Sequence, residues 1–152
     1  MTSKFKEVGR LGWRTLDLLV VVYSEDNKEF IREAMRLLPY IYPCDLCRTS
    51  LGPLIEFADI SKIDSRLGTA RFIYALHDMV NLKLQKTSIS FDAYINNLNH
   101  EKDAAVLFCK EVMSGKDTDK QLCAAFCTII LSLVFEKLVV VRENTNFLTR
   151  WI

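Results

Sequence analysis

Cys44 and Cys47, within Tyr42-Pro43-Cys44-Asp45-Leu46-Cys47, are the residues whose type and spacing point most directly to chemistry. Two thiols separated by two residues close into a small ring on oxidation, or hold half of a metal site when reduced. Pro43 suits the first turn of a helix, where its fixed φ fits and its missing N–H costs nothing. Asp45 adds first-turn acidity, so Cys44 is expected near a helix N-terminus and Cys47 about one turn further in. The free backbone N–H groups at such an end stabilise a thiolate, lowering its pKa from about 8.5 by up to several units. One sulfur would then be an exposed, good leaving group and the other would face whatever packs against the helix. Taken alone, the pair leaves three readings open: redox chemistry, half a zinc site, or a structural accident.

The bulk composition narrows these readings. A chain of 152 residues with 50% hydrophobic and 26% charged residues and few Gly or Pro reads as one globular domain with a real core. Its formal charge of +1 carries no electrostatic footprint for nucleic acid. The first ten residues are charged and lack an apolar run, so no signal peptide is expected. The longest apolar stretch, Leu122 to Phe135, is shorter than the roughly 20 residues of a bilayer span and reads as a buried helix. Five cysteines without a secretory signal imply a reducing, cytoplasmic setting, where disulfides tend to be catalytic.

The elements that must position the pair read as all-α. Trp13 to Val22 give a first apolar helix, ending near Ser24 to Asn27. Phe30, Ile31, Ala34, Leu37 and Leu38 give a second, which Pro39 is expected to terminate. The CxxC helix follows, with Leu46, Leu51, Leu54, Ile55 and Phe57 as its apolar side and Pro53 expected to kink or end it. Asp64 or Ser65 can cap a fourth helix that turns Phe72, Ile73, Leu76, Val80 and Leu84 inward. Ser90 can cap a short fifth, Phe91 to Leu98, and Ala104 to Met113 forms a sixth. A last helix is expected from about Thr118 to Val141, whose tail Val139 to Val141 could instead be strand. Residues 1–98 then form a four-helix bundle with the short fifth helix, and residues 99–152 a helical extension on the same domain.

On the fourth helix His77 and Asn81 are four residues apart and share a face, with Lys83 and Lys86 on the next turns. The string His77-Asp78-Met79-Val80-Asn81-Leu82-Lys83-Leu84-Gln85-Lys86 resembles the H-N-x-V-N-x-K-L-x-K element of the Erv/ALR flavin-dependent sulfhydryl oxidases. Gly9-Arg10-Leu11-Gly12-Trp13-Arg14-Thr15-Leu16-Asp17 is similar to that family's G-R-x-x-W-x-x-L-H element, and Tyr42 to Cys47 to its Y-P-C-x-x-C. The three occur in order, and the resemblance covers roughly residues 9 to 98.

The resemblance implies FAD in the mouth of a four-helix bundle beside the CxxC disulfide. It implies oxidation of protein dithiols, with electrons passed to O₂ and H₂O₂ released. Cys44 would be the interchange cysteine, and Cys47 the charge-transfer cysteine beside the flavin ring. The FAD contacts it implies are Gly9, Arg10, Trp13, Asp17, His77, Val80, Asn81, Lys83 and Lys86. Trp13 offers a flat face, Asn81 a donor and an acceptor, and Arg10, Lys83 and Lys86 countercharge for the pyrophosphate or the reduced flavin. A homodimer is expected, with thioredoxin-like or viral structural proteins as dithiol substrates. The short chain suits a member from a large DNA virus, acting in host cytoplasm or virion. No metal is expected.

This chain departs from the pattern at Asp17, where the family usually has His, and at Asp78, where Asn commonly follows the His. No cysteine precedes Cys44, so a shuttle or interchain disulfide would have to come from Cys109, Cys123 or Cys127, which otherwise read as core residues. Two other readings are a zinc module using Cys44 and Cys47 with His77 or His100 and another cysteine, and a non-enzymatic helical adaptor whose C-terminal apolar helix docks a partner.

Overall fold

The helical periodicity is realised as seven α-helices in the computed structural model, which describes residues 3–135. They are α1 (Ser3–Val22), α2 (Lys28–Ile41), α3 (Asp45–Ala58), α4 (Arg66–Lys83), α5 (Phe91–Asn96), α6 (Asp103–Ser114) and α7 (Lys120–Val134), with a 3-10 turn at Ile60–Lys62 between α3 and α4. No strand occurs among the described residues, and none of their helices is long and apolar enough to cross a membrane.

The helices pair in three layers. α1 packs against α4 on one side and α6 on the other, while α2 packs against α3 and α7. Helices α1 and α2 therefore form the middle of the molecule, and their apolar positions explain why: Leu16, Leu18, Leu19, Ile31, Ala34, Met35 and Ile41 are all buried. The outer pair α6–α7 contributes Phe108, Val112, Phe126 and Ile130 to the same core. A methyl group on Gly12 would come within 3.2 Å of the Phe108 ring, so glycine lets α6 lie this close to α1.

Local signals set most helix ends. The Ser65 hydroxyl accepts from the Gly68 N–H at 2.8 Å, Ser90 accepts from Ala93 at 3.1 Å, and Asp119 accepts from Gln121 at 2.9 Å. Arg66 closes the end of α1 from outside, donating to the carbonyls of Val20 and Tyr23 at 3.1 and 3.0 Å. The end of α4 has a different cause. Gln85 takes a left-handed φ of 58°, the Lys86 N–H reaches the Asn81 carbonyl at 2.8 Å and the Gln85 N–H reaches that of Leu82 at 3.1 Å.

Several expectations need correction. Pro39 and Pro53 terminate nothing: α2 runs two residues past Pro39, and α3 continues through Pro53 to Ala58. Each removes one N–H from its ladder while packing on neighbouring helices holds the helix together. Leu46 and Phe57 are not on the buried side of α3, being 84% and 79% exposed, and Leu84, beyond the end of α4, is 44% exposed. Lys86 is not on a further turn of α4 but follows the Gln85 reversal. The last helix begins at Lys120 rather than Thr118 and gives way at Phe135. Its expected continuation to Val141, and the alternative strand there, lie outside the described residues.

Candidate functional site

Cys44 is the N-cap of α3, and its sulfur accepts from the Cys47 N–H at 3.4 Å. Cys44 and Cys47 are joined in a disulfide, with Cα atoms 5.2 Å apart. The preceding loop is held from two directions. The Arg48 guanidinium turns back to donate to the Tyr42 carbonyl at 2.6 Å and pairs with Asp45. Tyr42 points inward toward Gly9 and Gly12 of α1 and packs against Phe108 of α6, with ring centroids 6.0 Å apart. Burial pushes its phenol up to about 12. Gly115, just beyond α6, lies against Pro43, so the α6–α7 connection also supports the CxxC loop.

Helix α4 links this disulfide to a second feature. At its end, Lys83 donates to Ser50 of α3 at 3.1 Å, one turn beyond the CxxC. Further up, Tyr74, His77, Asp78 and Asn81 line a cleft of about 390 Å³ against Arg10, Trp13, Arg14 and Asp17 of α1. Ser88, Ile89, Tyr94 and Asn97 close its far side. The Trp13 and His77 rings are stacked, with centroids 3.9 Å apart and planes 9° from parallel. They touch each other, so a flat ligand would be taken on an outer face of the stack.

The electrostatics of the cleft follow from burial. Burial, with Lys86 nearby, lowers the His77 pKa despite Asp78, so the ring is held neutral at neutral pH. Burial raises that of Asp17, opposed by the Asn99 N–H, which donates to its carboxylate at 3.1 Å. The Tyr94 hydroxyl is buried beside Asp17 without a well-formed hydrogen bond, and burial and that carboxylate both raise its pKa. Asn81 donates to Ser88 at 3.1 Å, and Ser88 to Asp78 at 2.5 Å, which fixes the loop after α4 over the cleft.

Among the residues expected to contact FAD, the cleft brings together Arg10, Trp13, Asp17, His77 and Asn81. Gly9 faces Tyr42 instead, Val80 is half-buried outside the lining, Lys83 points to α3, and Lys86 lies near enough to act on the His77 charge. Cys44 and Cys47 do not line the cleft. Sequence reasoning did not assign Arg14, Tyr74 or Tyr94 to it. Tyr74 is one turn before His77, a usable signal, whereas Tyr94 reaches the cleft through the placement of α5 alone.

These residues fit a flat aromatic cofactor bearing phosphate. The walls are aromatic, two arginines stand at the α1 side, and the buried Tyr94 hydroxyl, beside Asp17, has no well-formed hydrogen bond among the described residues. No curated protein and no solved structure matches the chain. Residues 10–103 match the model of the Erv1 / Alr family, which is one of flavin-linked sulfhydryl oxidases. With the disulfide-bearing helix, the fourth-helix motif and all of the first motif but Gly9 within the matched span, the chain belongs to the Erv1 / Alr family.

Proposed function

We propose that this chain is an FAD-dependent thiol oxidase that inserts disulfides into protein dithiols. The observation that carries the reading is the Cys44–Cys47 disulfide at the start of α3, joined through α4 to an aromatic, arginine-edged cleft.

A substrate thiolate attacks the Cys44 sulfur, forms a mixed disulfide and expels Cys47 as a thiolate. The Cys47 N–H is aimed at the Cys44 sulfur, so the first turn of α3 favours the Cys44 thiolate that the second exchange releases. A second substrate thiolate then attacks the substrate sulfur of the mixed disulfide and releases Cys44, leaving an oxidised substrate and a reduced pair. The chemistry supplied by bound FAD is acceptance of that electron pair and its transfer to O₂, giving H₂O₂. Trp13 and His77 would present a ring face to FAD, Arg10 and Arg14 would offset its phosphates, and Asn81 would offer hydrogen bonds. The cofactor roles of Gly9, Val80, Lys83 and Lys86 rest on the family pattern, and Asp17 with Tyr94 would face a hydroxyl group. On this reading the donors are thioredoxin-like or viral structural proteins, the chain comes from a large DNA virus and acts in the cytoplasm, and it forms a homodimer.

The test is the absorbance spectrum of the purified protein, with oxygen consumption on adding a dithiol. Flavin bands and turnover are expected; Cys47→Ser should keep the bands and lose the turnover. Colourless protein that cannot be reconstituted with FAD would refute the proposal.

A further inference from the structure

Cys109 and Cys127 have no part in the site above, yet the fold brings them together. Helices α6 and α7 are joined by a short connection, which makes them antiparallel neighbours. Cys109 lies five residues before the end of α6 and Cys127 seven after the start of α7. At about 1.5 Å per residue the two stand at similar heights in the hairpin. Both are free thiols in the structure and both are buried, with 5% and 7% of their surface exposed. The Cys127 thiol donates to the Cys109 carbonyl oxygen at 3.7 Å. The nearby Cys109 thiol and burial both push the Cys127 thiol pKa up. Cys123, one turn earlier on α7, cannot be bridged to Cys127 without straining the helix.

We propose that Cys109 and Cys127 form a buried disulfide that staples α6 to α7. The cross-link forms by exchange with an external small-molecule disulfide. The thiolate of one cysteine attacks it, making a mixed disulfide and expelling one small thiolate. The thiolate of the other then attacks the protein sulfur of that mixed disulfide and expels the second. Two protein thiols are oxidised, one external disulfide becomes two thiols, and the two protons pass to the leaving thiolates. Because the folded hairpin disfavours the thiolate, the exchange belongs to the folding chain, before α6 and α7 close over it. Nothing in this step depends on what Cys44 and Cys47 do in catalysis.

The test uses the full chain carrying Cys44→Ser and Cys47→Ser, refolded from denaturant with oxidised and reduced glutathione, then quenched with an alkylating agent and digested. A peptide pair linked through Cys109 and Cys127 is expected, with fragment ions placing the single alkyl group on Cys123. Three alkylated cysteines, or a link through Cys123, would overturn the proposal. If the double variant does not refold, the unsubstituted chain treated alike should give two links, Cys44–Cys47 and Cys109–Cys127, and absence of the second overturns it equally. The loop closed spans 18 residues, so the cross-linked form should melt roughly 6–12 °C above the reduced form.

Discussion

Trp13 of α1 and His77 of α4 lie ring over ring, 3.9 Å apart, at the wall of the cleft. A charged imidazole there would lose solvation and face Lys86, which is why the His77 pKa is depressed. The unfolded chain therefore takes up this proton more readily than the folded one, and stability should fall as pH drops below about 6.5, the ordinary histidine value. The loss is complete once pH passes the depressed folded value. Asp17, whose pKa is raised by burial, acts with the opposite sign. Thermal melts from about pH 7.5 to pH 5 should show this slope, and His77→Gln should flatten it. An unchanged slope in the variant would remove His77 as its source.

Asn99 ties the segment after α5 to the wall of the cleft. Its side chain accepts from Arg14 at 3.0 Å and from the Glu101 N–H at 3.0 Å, and donates to the carbonyls of Arg14 and Glu101, each at 3.1 Å. Asn99→Ala should cost about 1–3 kcal/mol in denaturant unfolding. It should also weaken flavin binding about tenfold, as read by titration of cofactor into apoprotein, if roughly 1.4 kcal/mol of the loss falls on the bound state. Unaltered stability would mean these bonds add nothing in water.

Cys44 has a structural duty separable from its chemistry. Cys44→Ser keeps an oxygen to accept from the N–H of residue 47, whereas Cys44→Ala leaves it unpaired. Both lose the disulfide, so the difference between them isolates the cap. The serine variant should be more stable by about 1 kcal/mol, or a melting difference of roughly 2–4 °C. Equal melting temperatures would mean that water satisfies this N–H equally well.

Gly68 sits in the first turn of α4 where a β-carbon would collide with the backbone carbonyl of Lys62. In an unobstructed helix, alanine would gain up to about 1 kcal/mol over glycine. Here the collision with backbone should dominate, and Gly68→Ala should destabilise by about 1–3 kcal/mol in urea unfolding. A stabilised variant would show that the 3-10 turn yields easily.

The sequence carries the fold where side chains act locally. Ser65, Ser90 and the CxxC mark the starts of α4, α5 and α3, and His77 and Asn81 share a face because four residues make about one turn. It misleads where tertiary packing overrides local preference, as at Pro39 and Pro53. It is silent where a turn uses an uncommon residue: nothing about Gln85 announces a left-handed position, so the path to Lys86 was not readable. The cleft was half visible. Its α1 and α4 walls follow from motif spacing, but Tyr94 and Asn99 arrive from a segment whose docking no local pattern encodes.

The layering of α6 and α7 over α1 and α2 decides how this molecule could meet a copy of itself. That side of α1 and α2 is already covered from within the chain, whereas the opposite flank is built from α3 and α4. The same flank carries the reactive disulfide and displays Leu46 and Leu82 to solvent. Pairing there and docking of a thiol donor would compete for one surface, so turnover would fall as enzyme concentration rises.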